Sequence, residues 1–256
     1  MNEAEYHTFY KNEESFWWFT GMRCILFSIL EKYLKSPGRR LKYLDMGCGT
    51  GGRLQYLNRR MQNGGNSVAT FGFDLHPLAV HYCKLRRLDR IVRASAERIP
   101  FKDGQFDVVG CFDVLQNIRD DMSAVREIHR VCRRGGKVLF NEVAFMFLLD
   151  ENSVAAGVVR RYTRDELVGK LEEAGFRILR ATYANSILFL PITVVRLFTK
   201  RLHRVKDMSR AVGSVRPYPR ILNSLLHNLL VLEKNALRCV NFPFGVSVIV
   251  LAEKKS

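Results

Sequence analysis

"KYLDMGCGTGG", residues 42–52, is the stretch on which the reading of the chain turns. An apolar-leaning run ends in Asp45 and gives way to glycines at 47, 49, 51 and 52. Glycine is costly to order and packs little. A cluster directly after a strand-like run therefore means that the backbone turns sharply there or lies close to something.

Outward from this point the pattern alternates. "LKYLDM" (41–46) reads as a strand, "GRLQYLNRRM" (52–61) as a helix and "SVATFGFD" (67–74) as a second strand. "PLAVHYCKLRR" (77–87) follows as a helix, with Pro77 near its start, where proline is favoured. "RIVRAS" (90–95) is a short strand, "FDVVGCFDVL" (106–115) a buried one, and "DMSAVREIHRVCR" (121–133) a helix ending at Gly135-Gly136. "KVLFNEVAF" (137–145) is the fifth strand.

Beyond residue 150, "TRDELVGKLEEAGF" (163–176) reads as a helix with Thr163 and Glu166 in capping-box spacing. "RILRATYA" (177–184) and "GVSVIVLAEK" (245–254) are the last strands. Residues 19–35 and 186–240 are helical in pattern, the latter both basic and apolar. The alternation predicts an α/β fold: a doubly wound, mostly parallel seven-stranded sheet with N-terminal helices and a helical C-terminal insertion. A single domain over 1–256 is expected, with a helical cap (1–40), a cofactor-binding core (41–145) and a substrate-side part with the helical insertion and closing strands (146–256).

The chain has 256 residues, with 41 Lys and Arg against 25 Asp and Glu, a net charge of +16. Such an excess favours anionic partners: nucleic acid, anionic lipid or a phosphorylated substrate. The six cysteines are scattered, with no C-x-x-C pair or Cys/His grouping, so no metal site is expected. Scattered thiols and a polar start, "MNEAEYHTFYKNEES", read as a cytoplasmic protein. The longest apolar run, residues 187–198, falls short of the roughly 20 residues of a spanning helix.

In a doubly wound sheet, ligands bind beyond the carboxyl ends of the strands where strand order reverses, usually beside the first strand. The glycines at 47–52 sit at that end. Asp74, ending the second strand in "GFDLHP", is placed to accept hydrogen bonds from both hydroxyls of a ribose. The spacing D-x-G-x-G-x-G over 45–51 is not the dinucleotide fingerprint G-x-G-x-x-G, which argues against a pyrophosphate cradle.

On these residues the chain resembles the class I S-adenosylmethionine-dependent methyltransferases, and most closely their type 11 small-molecule group. "LDMGCGTG" matches the family's first motif, and "FDVVGCFDVLQNI" and "REIHRVCRRGGKVLF" resemble its fourth- and fifth-strand blocks. The resemblance implies a Rossmann-like methyltransferase fold and S-adenosyl-L-methionine as cofactor. It places Asp45 near the methionine amino group, Gly47, Gly49 and Gly51 along the cofactor, and Asp74 with neighbouring Leu75 at the ribose. Ser95, Ala96 and Glu97 fall in the adenine-contacting segment; the family more often has Asp where Ser95 stands. Glu97 reads equally as a surface carboxylate.

Similar proteins commonly end the fourth strand in a Glu-His pair, where this chain has Gln116 and Asn117. Many also have histidines before the "RRYTRDEL" block, where this chain reads "SVAAGVVRRY". Two bases are thus absent. Either the acceptor is already an anion, or its proton goes to another residue such as Tyr162, Asp113 or His76. The candidate catalytic set is Asp113, Gln116, Asn117 and Tyr162. Arg160 and Arg161, in a loop on the substrate side, suit a phosphate, carboxylate or sugar-phosphate, or are simply surface arginines. "ESFWWFTGMR" (14–23) resembles the N-terminal helix of relatives near polysaccharide and lipid-glycan loci, where Trp17 and Trp18 either close over the cofactor or pack in the core.

The leading expectation is a methyltransferase acting on a small-molecule or lipid- or glycan-linked anionic acceptor. A nucleic-acid methyltransferase is the weaker reading, because "DVLQ" stands where amino-methylating enzymes of nucleic acids commonly carry an "NPPY"-like tetrapeptide. A scaffold that binds cofactor with little catalysis is the third. Residues 186–220 place an apolar run beside Arg196, Lys200, Arg201, Arg204, Lys206, Arg210, Arg216 and Arg220, which suits peripheral attachment to an anionic membrane or a helical cap on the sheet.

Overall fold

A computed structural model of the protein describes residues 3–34, 39–63, 68–149, 153–154, 157–202 and 218–255. Seven strands, β1 (Leu41–Met46), β2 (Val68–Asp74), β3 (Ile91–Arg93), β4 (Phe106–Phe112), β5 (Cys132–Val143), β6 (Phe176–Ala184) and β7 (Ser247–Lys254), form one sheet. Their order is β3-β2-β1-β4-β5-β7-β6. Every pair from β3 to β5 is parallel, and β7 runs antiparallel between β5 and β6. Strand order reverses at β1, which puts a crevice above its carboxyl end, between β2 and β4.

The helices are α1 (Glu3–Asn12), α2 (Trp17–Leu30), α3 (Gly52–Asn63), α4 (Pro77–Leu85), α5 (Asp121–Val131), α6 (Arg164–Glu173), α7 (Phe189–Leu202) and α8 (Arg220–Ala236). Side chains alternate across a strand, and the two sheet faces accordingly feed two cores. On one, Tyr43, Val108, Leu139, Ile249 and Leu251 meet Ile25 and Leu30 of α2, Leu54 and Leu57 of α3, and Leu230 of α8. On the other, Leu44, Met46, Val109, Val138, Phe140 and Val250 meet Val125 and Ile128 of α5 and Leu167 and Leu171 of α6.

Two strand bounds differ from the sequence expectation, and two stretches expected to be helical gain detail. The fourth strand stops at Phe112 and not at 115, because Asp113 takes a left-handed φ of 61° and turns the chain into a 3-10 turn, Leu115–Asn117. The fifth strand starts at Cys132, directly after α5, and carries Gly135 and Gly136 within it; its pairing with β4 is irregular there, as where a strand bulges. A helix, α1, forms within the polar stretch before residue 15. The 186–240 stretch holds two helices, α7 and α8, and residues 203–217 between them lie outside the described residues.

Candidate cofactor and active site

Three glycines of the first loop have positive φ: 63° at Gly47, 55° at Gly49 and 84° at Gly51. A side chain there would be strained. A Cβ added at Gly49 would meet nothing within 4 Å, so the backbone lies open at that point, as a ligand-contacting loop must. Asp74, ending β2, is tied directly to this loop. The Gly49 N–H donates to its Oδ2 at 3.0 Å, the His76 N–H donates to Oδ1 at 3.0 Å, and the Tyr6 hydroxyl donates to Oδ1 at 3.3 Å. An ionised carboxylate has about four acceptor sites, so one is left and a long bond from Tyr6 is the next to yield.

The N-terminal segment covers this end of the sheet. Tyr6 stacks on His76 with ring centroids 4.5 Å apart, and Tyr10 stacks on Tyr82 at 4.3 Å. Glu13 accepts from the Thr50 hydroxyl and from Arg86 Nη2, the latter at 2.8 Å. Trp17 is buried in the first core and its backbone N–H donates to Asn223 Oδ1 at 2.9 Å, while Trp18 packs against the same core. Both tryptophans therefore join α2 to the sheet and to α8. Leu75 is exposed, Ala96 packs against the second core, and the Ser95 hydroxyl accepts from the Glu97 N–H at 3.2 Å. The Glu97 side chain lies in an exposed residue, with its carboxylate accepting from Ser95.

Asp45, near the end of β1, is fully buried, and neither carboxylate oxygen has a hydrogen-bond partner among the described residues. Its nearest cation is Arg53 of α3, whose Nε stands 3.6 Å from Oδ2. Burial pushes the Asp45 carboxyl up to about 6 against the pull of Arg53. Arg53 also lies with its guanidinium carbon 5.1 Å from the Phe112 ring centroid, beside the turn at Asp113.

That turn carries the remaining candidates. The Asn141 amide donates to Asp113 Oδ1 at 3.1 Å, and among the described residues it is the only donor to that carboxylate. Burial pushes Asp113 up to about 6, with Arg53 and then Arg161 drawing it down. Gln116 and Asn117 donate their amides to the Asp113 carbonyl, at 3.4 and 3.1 Å. Underneath lies Glu142, a residue that the sequence did not single out. Its buried carboxylate accepts from the N–H groups of Val114, Leu115 and Gln116 at 3.1, 2.9 and 3.3 Å, and so sets the whole turn. An acid beside the end of the fifth strand in "FNEVAF" is the only trace of this in the sequence.

The other side chains are committed elsewhere. The Tyr162 hydroxyl is buried and donates to Asp121 Oδ2 at 2.7 Å. Arg160 pairs with the same Asp121 at 2.9 Å and reaches the Arg119 carbonyl. Arg161 is buried and donates to the Ser153 hydroxyl at 2.7 Å. His76 uses Nδ1 to accept from the Leu78 N–H at the start of α4. Among the described residues no group of three or more His, Cys, Asp or Glu is suited to a metal ion.

Residues 44–140 match the family of the methyltransferase domain. The ubiquinone biosynthesis O-methyltransferase of Pseudomonas aeruginosa is 33% identical over 108 residues, 40% of this chain and 44% of that protein. The chain thus spans less than half the length of this curated relative. Among solved structures, the cyclase SpnF superposes with a TM-score of 0.56 at 20% identity, over 89% of this chain and 80% of that one. A phosphoethanolamine N-methyltransferase of Haemonchus contortus, bound to phosphomonomethylethanolamine and S-adenosylhomocysteine, gives 0.53 at 19% identity, over 90% and 52%. Identities this low speak for the fold alone. The likeness this chain carries is therefore a methyltransferase-domain match over residues 44–140, on a sheet with the fold of these solved structures.

Proposed function

We propose that the chain methylates a hydroxyl of a small, largely apolar acceptor and that Asp113 takes the proton. The observation carrying this reading is Asp113 itself. It is the one candidate base whose carboxylate is held by a single donor, Asn141, among the described residues, while Tyr162 and His76 are spent on Asp121 and on α4. A non-glycine residue at a φ of 61° is strained, and strain of this kind collects at functional sites. A carboxyl pushed up to about 6 is a better base than an ordinary surface aspartate and is still ionised at neutral pH.

When bound, S-adenosylmethionine supplies a methyl group activated by a positive sulfur. Asp74 and the amides of the 47–51 loop orient it; Gln116 and Asn117, fixed through the Asp113 carbonyl, border the acceptor. Phe145, Phe147, Phe189 and Phe244 follow one another at ring-centroid separations of 5.3, 6.4 and 5.5 Å beyond the end of β5. Such a row suits an apolar acceptor, in keeping with the O-methyltransferase name of the relative. Arg160 is already paired with Asp121, so an anionic group on the acceptor would have to compete for it. The better-supported role for Arg161 is to keep Asp113 ionised.

Incubation with methyl-labelled S-adenosylmethionine and fractionated lipid, sugar and RNA extracts tests the reading. Label should enter a non-nucleic-acid fraction, and kcat should rise as pH increases through about 6, where Asp113 loses its proton. Asp113→Asn should lower kcat by roughly 10²–10⁴-fold while cofactor affinity stays. Label confined to RNA would favour a nucleic-acid substrate, and label in no fraction would favour a cofactor-binding scaffold.

A further inference from the structure

The ion pair of Asp45 and Arg53 is unfinished in a way that a purely internal pair is not. A charge-assisted bond between guanidinium and carboxylate closes to about 2.7–2.9 Å, often through two nitrogens. Here Nε and Oδ2 stand 3.6 Å apart, and Nε and both carboxylate oxygens are buried without a hydrogen bond among the described residues. Leaving buried charges so poorly paired is costly. The two partners also differ in access: the Asp45 side chain is 0% exposed, whereas that of Arg53 is 24% exposed. A ligand on the glycine loop therefore meets Arg53 first, with Asp45 behind it. The guanidinium is anchored within the loop, its Nη2 reaching the Gly47 carbonyl at 3.5 Å, and its flank lies on the Phe112 ring.

We propose that Arg53 binds the carboxylate at the amino-acid end of the cofactor, with Asp45 as the buried counter-charge that holds the guanidinium at the first loop. The proposal rests on the reading of S-adenosylmethionine as the cofactor. An amino-acid end carries one ammonium and one carboxylate and adds no net charge, so it enters a cluster of Asp45, Arg53 and Asp113 without upsetting its balance. Asp45 acts here through Arg53 and is a positioning residue.

Binding of three ligands to the intact chain, measured by calorimetry, tests this: S-adenosylmethionine, its decarboxylated analogue, which keeps the ammonium and the sulfonium, and 5′-methylthioadenosine, which lacks the whole amino-acid end. Arg53→Gln should weaken S-adenosylmethionine by about 10- to 100-fold and leave the other two within about threefold. Arg53→Lys, which keeps the charge and loses the fork, should fall between. Unchanged methylthioadenosine binding shows that the site is folded in each variant; if Arg53→Gln loses it, the lysine variant carries the same comparison. An equal loss for all three ligands in both variants, or no loss for S-adenosylmethionine, overturns the assignment. A wild-type chain that binds none of the three overturns the cofactor reading itself, and the proposal with it.

Discussion

Asp74 already accepts from Gly49, His76 and Tyr6. With the ribose held there, as proposed, the sugar would share or replace one of these. Asp74→Ala should therefore cost cofactor binding roughly 1.5–3 kcal/mol per charged hydrogen bond lost. Tyr6→Phe should do the opposite or nothing, because it removes only the long bond that competes with the ribose. Calorimetry on the two variants separates them; a Tyr6→Phe protein that binds as poorly as Asp74→Ala would mean that the hydroxyl supports the carboxylate and does not compete with it. At this scale the sequence was informative about residue type and silent about commitment. Asp74 stood out through its place at the end of a strand. That Tyr162 would be spent on Asp121, or that Glu142 would pin the turn after β4, depends on contacts between positions far apart in the chain, 41 residues in the first case and 26 to 28 in the second.

Among the elements, α2 and α8 pack so closely that the contact has no room for a methyl group. A Cβ at Gly21 would lie 2.4 Å from Leu230 Cδ1 and 2.8 Å from its Cβ, and the latter is not a flexible end that can swing away. Gly21→Ala should thus destabilise the protein by about 1–3 kcal/mol through overpacking, in spite of alanine's better helix propensity. Thermal denaturation gives the answer, and an unchanged or raised midpoint would show that the helices can slide apart freely. Strands and helices of the core were legible because the apolar period changes from 2 to 3.6 along the chain. Their ends were not. The left-handed Asp113 ended β4 early, and a strand that accommodates Gly135 and Gly136 gave no sign of itself in a pattern where glycine pairs usually mark breaks. The turn before α7 was equally hidden: Glu233 of α8, wholly buried, accepts the N–H groups of Asn185, Ser186 and Ile187.

For the molecule as a whole, the excess of basic charge and the exposed apolar side of α7 bear on where the acceptor is found. Leu190, Val194 and Phe198 recur at helical spacing and are exposed at 68%, 51% and 63%. No helix among the described residues is long and apolar enough to cross a membrane. We propose that this side rests on an anionic membrane surface, which the chain's net charge of +16 favours; the basic residues expected at 204–216 lie outside the described residues. The intact protein should sediment with anionic vesicles and be released at high salt, and a protein with Leu190, Val194 and Phe198 changed to Ser should stay in solution. Equal pelleting of both proteins would deny α7 that role. The place of β7 has a different consequence, one for synthesis on the ribosome. Among the described residues β6 pairs with no strand but β7, and β7, at 247–254, is the last strand of the sheet to be made. Until it emerges, the free edge of β5 and the whole of β6 have nothing to pair with, so a nascent chain can hold its glycine loop and still depend on a chaperone to guard two open strand edges.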